Sequence, residues 1–309
     1  MSTLSLVFVF FTSLIITLVL TKIFMKYNLF DAINHRSVHK SKATKTGGIS
    51  IFLTLFIFSL FFYVREDQIF DFSLLIPLGI MFIVGVYDDF YNADFKLKFL
   101  LQIIVAKILI DQGLVINNFH GVFGIYSIGN IPSQFFTIFV FLVIVNAINF
   151  IDGIDGLAIT EAAKVILIIE LFSVSPTQIS VLGQIILISL LPLYYFNFKK
   201  ENKVFLGDSG SLLLGTLISI YAIIFLGDNY QLKDTFSSNK AILSMIILIY
   251  PLVDLLRVFS IRVANKKSPF RPDNKHIHHY LLKRGINHFG ICLLISIVSV
   301  CLTLLTALI

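Results

Sequence analysis

Long apolar runs follow one another closely along this chain, and they constrain its fold more than any other feature. A helix that crosses a bilayer needs about 20 mostly apolar residues. Ten segments approach that length: 4–25, 49–64, 72–87, 98–112, 133–149, 158–174, 179–196, 210–227, 240–261 and 290–309. Continuous apolar runs of this kind cross a membrane as helices, which satisfy all of their backbone groups internally. The sequence therefore predicts an all-α integral membrane protein, a polytopic bundle of about ten transmembrane helices.

The composition leaves little room for any other kind of domain. Of the 309 residues, 57% are hydrophobic and 14% are charged, whereas about 25% of the residues in a soluble domain are charged. Little sequence remains outside the ten segments, so we expect a single transmembrane domain over 1–309. The first segment is too long for a signal-peptide core and lacks a small-residue cleavage site, so we expect it to be retained.

Lysine and arginine predict the orientation of the chain. Most of the 24 basic residues lie in or beside the odd-numbered connections, while the even-numbered ones hold only Arg65, Lys233 and Lys240. Cytoplasmic loops carry an excess of these residues, so the odd-numbered connections are predicted to face the cytoplasm. With ten crossings, both termini then lie outside. Because the basic residues follow topology, the net charge of +6 does not indicate a nucleic-acid partner.

Four polar clusters fall at segment ends that this orientation places on the cytoplasmic face. Their sequences are "VYDDFYNADFKLK", "NAINFIDGIDGLA", "VFLGDSGS" and "HIHH". The candidate site residues among their acids and histidines are Asp88, Asp89, Asp152, Asp155, Asp208, His276, His278 and His279. A solvated helix end would explain an aspartate pair, and a helix cap would explain Asp208. Four such clusters on one face of a membrane instead indicate a functional site.

The residue types in these clusters suit phosphate chemistry. Carboxylate and carbonyl oxygens bind Mg²⁺, which completes its shell with water and substrate phosphates. Phosphoryl transfer mainly requires positioning and neutralisation of charge, and glycines let the backbone approach phosphates closely. The clusters therefore predict Mg²⁺-dependent transfer between a soluble phosphorylated substrate and a lipid.

In this order and on these segments, the motifs resemble those of the polyprenyl-phosphate N-acetylhexosamine-1-phosphate transferases, in their bacterial undecaprenyl-phosphate branch. The resemblance implies transfer of a sugar-1-phosphate, GlcNAc-1-phosphate by default, from a UDP-N-acetylhexosamine to undecaprenyl phosphate, with release of UMP. It implies Mg²⁺, with Mn²⁺ as the alternative ion. It also implies a multi-pass protein of the bacterial inner membrane that begins O-antigen, teichoic acid or related surface-glycan synthesis. A homodimer is a further expectation.

The resemblance also implies catalytic roles. Asp88 and Asp89 match the family's aspartate pair, and Asp88 is the favoured residue to deprotonate or orient the lipid phosphate. The resemblance leaves open a two-step mechanism with a covalent aspartyl intermediate. Asp208 matches the Mg²⁺-binding aspartate, with Asn149 as a second ligand or neighbour. The residues implied to bind substrate are Lys40, Lys45 and Lys98 for phosphates, Asp152, Asp155 and Phe205 for the nucleotide, and His276, His278 and His279 for the pyrophosphate or sugar.

Two polar pairs receive a structural interpretation. Asp254 and Arg257 are three residues apart, as are Glu161 and Lys164. Residues at this spacing are neighbours on a helix, and charged residues inside a membrane tend to pair. We therefore expect both pairs to form within the bundle.

Three alternatives remain at the level of sequence. A secondary transporter would place acids near the midplane, usually with repeat symmetry, and no repeat is present here. The phospho-MurNAc-pentapeptide translocase carries three successive histidines in place of HIHH. The eukaryotic ER enzyme departs from the DGIDG motif. Within the favoured branch, the sequence leaves the donor sugar open.

Overall fold

The protein is built almost entirely from helices. Its computed structural model describes residues 1–31, 43–268 and 275–308. The helices are α1 (Thr3–Lys26), α2 (Gly47–Val64), α3 (Leu75–Tyr91), α4 (Phe95–Asp111), α5 (Asn130–Ile151), α6 (Leu157–Phe172), α7 (Ser180–Phe198), α8 (Gly207–Leu226), α9 (Lys240–Ile247), α10 (Ile249–Ala264), α11 (Ile277–Lys283) and α12 (His288–Leu308). Two short strands, β1 (Ala43–Thr44) and β2 (Lys203–Val204), pair in parallel.

The helices confirm a polytopic membrane fold but not the predicted number of crossings. Within the described residues, seven helical segments are long and apolar enough to span a bilayer, and α9 with α10, bent by 73°, would make an eighth. Helices also occupy the other two predicted positions. However, α4 and α6 have only 17 and 16 residues, and lysine and acidic residues interrupt both. The expected count of about ten is therefore not confirmed.

The chain divides into two compact units. Unit one consists of Met1–Ala93 and Pro176–Leu214, and unit two of Asp94–Ser175 and Gly215–Ile309. Helix α8 runs from one unit into the other, because its first eight residues belong to unit one. The single transferase domain expected over 1–309 stays a prediction.

In unit one, α1, α2 and α7 pack against one another. The parallel strand pair ties the start of α2 to the segment that precedes α8. Ala43 lies opposite Lys203, and the pairing continues where the N–H groups of Gly47 and Gly48 donate to the carbonyls of Phe205 and Leu206 at 3.0 and 2.9 Å. This ladder fixes the residues around position 45 close to the first turn of α8.

Glycines allow the backbones of α2 and α3 to approach the start of α8. A Cβ atom on Gly85 would meet the backbone of Asp208 and Ser209, and one on Gly48 would meet the backbone of Gly210. No side chain fits at either contact without moving the helix. The first turn of α8 is therefore held by backbone contacts that only glycine permits.

In unit two, α5 packs against α4, α6 and α10, and α12 packs against α6 and α9. The expected pair between Glu161 and Lys164 is confirmed, with 2.6 Å between Oε2 and Nζ. Lys164 also donates to Ser299 Oγ on α12 at 2.8 Å. Both charges are buried. Removing either residue would destabilise the protein, because it would leave the other charge buried and uncompensated.

The two glycines of α3 give a matched test of this packing. Gly85→Ala forces a methyl group into the backbone of α8, and we expect it to destabilise the protein by about 1–3 kcal/mol. Gly79→Ala places its methyl group 3.5 Å from the Phe52 ring, an ordinary contact. We expect that control to match the wild type when melting temperature is measured in detergent. Equal melting temperatures for the two variants would contradict the close approach of α3 and α8.

Candidate active site

The carboxylate of Asp89 caps the first turn of α8 within unit one. Its Oδ1 accepts from the N–H of Asp208 and its Oδ2 from the N–H of Ser209, both at 3.0 Å. N–H groups in a first helical turn have no intrahelical acceptor, and the helix dipole favours negative charge there. Gly207 has a φ of +73°, and a Cβ on it would lie 2.8 Å from Asp89 Oδ2. Asp89 therefore orients the predicted metal ligand Asp208.

Lys45 supplies a positive charge beside this cap. Its Nζ lies 3.0 Å from Asp31 Oδ1 and 3.7 Å from Asp89 Oδ1. Burial by itself lowers the pKa of Lys45, but the charges of Asp31 and Asp89 outweigh it, so the pKa is raised. Lys45 is thus a cation at neutral pH, as its predicted phosphate contact requires. Asp31 was not identified from the sequence, because nothing local links residues 31 and 45.

Asp88 has different hydrogen-bond partners from Asp89. Its Oδ1 accepts from the N–H of Ala93 at 2.7 Å, and its carbonyl accepts from Asn92, which has a left-handed φ of 52°. These bonds close the end of α3. The two adjacent aspartates are thus held by different elements, Asp88 by the end of its own helix and Asp89 by α8.

Phe205 lies between β2 and α8. Its carbonyl accepts from Gly47, and Lys203 Nζ is 5.2 Å above its ring. Asn197 supports the same segment by donating to the carbonyl of Val204 at 2.7 Å. Unit one thus brings Lys45, Asp89 and Asp208 together through an ion pair and a backbone hydrogen bond, while the stacking of Phe205 on a nucleotide stays a prediction.

The DGIDG turn joins α5 to α6 in unit two. Asn149 lies in the last turn of α5, and the backbone N–H of Asp152 donates to its carbonyl at 3.4 Å. The Asp155 carboxylate lies 2.7 Å from His288 Nδ1, at the first residue of α12. His288 was missed by sequence reasoning, because it falls in a connection just before the tenth apolar segment and belongs to no motif.

The histidine segment packs against this turn. The rings of His276 and His278 are nearly parallel, with 5.3 Å between centroids and an interplanar angle of 10°, and His279 lies 4.4 Å from His278. A Cβ atom on Gly153 would lie 2.8 Å from His278 Nε2. Unit two therefore brings together two of the four predicted clusters, the DGIDG turn and the histidines.

His278 is held as a neutral imidazole. Its side chain is fully buried, and its Nε2 has no hydrogen-bond partner within the described ranges. Burial, followed by the neighbouring His279, His276 and His288, lowers the pKa of His278 to about 2. A neutral ring in this position binds by hydrogen bonding rather than by charge.

The expected pairing of Asp254 with Arg257 is wrong. The Asp254 carboxylate accepts from His276 Nδ1 at 2.6 Å and from the N–H of Ile277 at 2.8 Å, and Arg257 donates to the carbonyl of Lys275 at 2.6 Å. Helical spacing permitted the pair, but the returning histidine segment provides partners for both side chains.

Lys98 and Lys40 are the remaining predicted residues. Lys98 lies in the first turn of α4, in unit two. Lys40 lies outside the described residues. No group of three or more His, Cys, Asp or Glu side chains able to hold a metal occurs in 1–31, 43–268 and 275–308. Mg²⁺ commonly takes one or two carboxylates plus water and substrate phosphates, so the ligand roles of Asp208 and Asn149 stay predictions.

Comparison with known proteins decides the family. The model of glycosyl transferase family 4 matches residues 71–226. A Haemophilus influenzae protein named undecaprenyl-phosphate alpha-N-acetylglucosaminyl 1-phosphate transferase is 32% identical, over 96% of this chain and 84% of its own length. The chain belongs to glycosyl transferase family 4. This membership confirms the resemblance carried by the four motifs.

Two further relatives extend the comparison within family 4. A probable undecaprenyl-phosphate N-acetylglucosaminyl 1-phosphate transferase of Bacillus subtilis is 29% identical, over 90% of this chain and 76% of its own length. A decaprenyl-phosphate N-acetylglucosaminephosphotransferase of Mycobacterium tuberculosis is 28% identical, over 84% of this chain and 70% of its own. The family and the names of these relatives support phosphoglycosyl transfer as the activity.

The cap on α8 can be tested through stability. Asp89→Ala leaves two part-buried N–H groups without this acceptor, which costs roughly 1–3 kcal/mol. Asp71→Ala is the matched control, because Asp71 also caps a helical turn, through Ser73 N–H at 2.9 Å, but is exposed. We expect a clear fall in melting temperature for Asp89→Ala and a much smaller one for Asp71→Ala. A wild-type melting temperature for Asp89→Ala would rule the cap out.

The neutral His278 predicts a pH dependence of stability. Because its folded pKa of about 2 is far below the unfolded value of about 6.5, its contribution is present above pH 6.5 and is lost as pH falls. Between pH 6.5 and pH 5 the loss is about 2 kcal/mol. We expect His278→Asn to flatten the fall in melting temperature over this range. An unchanged slope would show that His278 takes up a proton in the folded protein.

Proposed function

We propose that this protein transfers N-acetylglucosamine-1-phosphate from UDP-GlcNAc to undecaprenyl phosphate and releases UMP. The observation that carries the proposal is the similarity to a transferase of that name over 96% of the chain. The four motifs support it, since they contain the carboxylates, histidines and lysine that such a transfer needs. The proposed setting is the cytoplasmic face of a bacterial inner membrane, supported by the distribution of lysine and arginine.

In this mechanism, unit one handles charge and proton transfer. Lys45 is a fixed cation next to the first turn of α8, and it would bind a phosphate of the donor. Asp88 would accept the proton of the lipid phosphate, or orient that phosphate. An oxygen of the lipid phosphate would then attack the β-phosphorus of the donor. Asp89 would act through α8, because both of its oxygens already accept backbone N–H groups. Positioning and charge neutralisation of this kind account for most of phosphoryl-transfer catalysis.

Asp208 of unit one is the residue that would hold Mg²⁺, and Asn149 of unit two stays the second ligand predicted from the sequence. Their carboxylate and amide oxygens fit the preference of this ion for oxygen donors, and the N–H of Asp208 is fixed by Asp89 at 3.0 Å. When bound, the ion would neutralise charge on the pyrophosphate and on the departing UMP.

In unit two, the DGIDG turn and the histidine segment would bind the donor. Asp152 and Asp155 would contact the nucleotide, with Asp155 held by His288 at 2.7 Å. The stacked imidazoles would provide hydrogen bonds to the pyrophosphate or the sugar. Lys98 would contribute a further phosphate contact.

A donor panel tests the proposal. Purified protein in detergent is given undecaprenyl phosphate, Mg²⁺ and one of UDP-GlcNAc, UDP-GalNAc or UDP-MurNAc-pentapeptide, and released UMP is measured. We expect UMP from UDP-GlcNAc, dependent on the lipid and abolished by EDTA. Turnover of only the pentapeptide donor would support the translocase, and no UMP from any donor would contradict the transferase proposal.

The base role of Asp88 is tested by Asp88→Asn. General-base catalysis contributes about 10²–10⁴-fold, so we expect kcat to fall by that factor while UDP-GlcNAc binding, measured by calorimetry, is retained. Asp71→Asn, on the exposed cap before α3, is the control and keeps wild-type turnover. Normal turnover by Asp88→Asn would exclude the base role.

A further inference from the structure

One face of α10 holds the histidine segment through three side chains. Tyr250, Asp254 and Arg257 lie at spacings of four and three residues, which places them on one side of a helix. Their contacts run along the segment in reverse order. Arg257 donates to the carbonyl of Lys275, Asp254 accepts from His276 and Ile277, and Tyr250 Oη lies 3.1 Å from His278 Nδ1. We call these three residues the α10 stripe.

Asp254 makes the strongest of these contacts. Its side chain is fully buried, and each oxygen accepts one hydrogen bond, from His276 Nδ1 at 2.6 Å and from Ile277 N–H at 2.8 Å. Hydrogen bonds to a carboxylate are shorter and stronger than neutral ones. A carboxylate that accepts from one imidazole nitrogen fixes both the tautomer and the orientation of the ring.

The α10 stripe therefore sets the direction of two imidazoles at once. His276 and His278 both turn Nδ1 toward α10, and their rings are parallel to within 10°. With Nδ1 of each ring in contact with α10, Nε2 is the nitrogen of each ring that remains for another partner. His278 Nε2 faces Gly153 of the DGIDG turn and has no hydrogen-bond partner among the residues described.

We propose that Asp254 is a positioning residue that holds His276 so that its Nε2 is presented to the phosphates of the donor. The proposal rests on the transferase function proposed above and adds a residue outside the four motifs. Asp254 touches neither substrate, because it acts through His276. Arg257 donates to the carbonyl of Lys275, and it forms no salt bridge with Asp254 within the described ranges.

The kinetic test compares two buried carboxylates of unit two. Asp254→Asn keeps the shape but removes the charge and the fixed tautomer. We expect it to lower kcat by about 10–100-fold, with KM for UDP-GlcNAc changed less than about threefold. Glu161→Gln is the control, because Glu161 is equally buried but pairs with Lys164. It is expected to keep wild-type kcat and KM even if its melting temperature falls.

A double variant shows whether Asp254 acts through His276. In a His276→Ala background, Asp254→Asn should not lower kcat further, because the imidazole that Asp254 positions is absent. A further tenfold loss in that background would overturn the proposal, as would wild-type kcat for Asp254→Asn. If Asp254→Asn does not fold, Tyr250→Phe tests the stripe through its second contact, and we expect it to lower kcat at least threefold.

A measurement independent of turnover separates this inference from the proposed function. Diethyl pyrocarbonate modifies imidazole nitrogens, and mass spectrometry reports the rate at His276. We expect Asp254→Asn to raise that rate at least fivefold and Glu161→Gln to leave it unchanged. An unchanged rate in Asp254→Asn would contradict the holding of His276. If the wild type released no UMP from any donor, the transferase proposal would fail, and labelling would still decide the role of Asp254.

Discussion

The buried contact between the Asp89 carboxylate and the first turn of α8 is the interaction on which the rest of unit one depends. Two backbone N–H groups at a helix start need an acceptor when water is absent, and Asp89 supplies both oxygens at 3.0 Å. The glycine at 207 makes room for that carboxylate, and the glycine at 85 lets α3 come close enough to deliver it. The position of Asp208 then follows from backbone geometry rather than from its own side chain.

In unit two, a buried carboxylate likewise holds another part of the chain through hydrogen bonds from N–H groups. There a buried carboxylate on α10 accepts an imidazole N–H and a backbone N–H from a segment about twenty residues further along the chain. In both units, an acidic residue on a helix holds a polar segment in place through hydrogen bonds to N–H groups. The Glu161–Lys164 pair differs, because Lys164 Nζ donates both to Glu161 Oε2 and to Ser299 Oγ on α12, which suits a role in packing α6 against α12.

The sequence predicted the parts of this protein that depend on local patterns. Apolar length located a helix at each of the ten positions, and the i, i+3 spacing found the Glu161–Lys164 pair. Prediction from the sequence failed for contacts between residues that are far apart along the chain. Asp31 beside Lys45, His288 beside Asp155 and His276 beside Asp254 are separated by 14 to 133 residues, and no local spacing predicts such contacts. The count of about ten crossings is not confirmed, because α4 and α6 have only 17 and 16 residues and charged residues interrupt their apolar runs.

The two aspartates of the pair illustrate why a motif does not assign roles by itself. In sequence, Asp88 and Asp89 are equivalent members of one acidic doublet. In the folded chain, successive helical residues point about 100° apart, so one carboxylate reaches α8 while the other reaches the backbone at the end of α3. A carboxylate whose two oxygens hold the start of a helix is poorly suited to exchange a proton during turnover, because protonation would weaken the cap. This arrangement supports the proposal that Asp88 rather than Asp89 exchanges the proton, a role that stays a prediction.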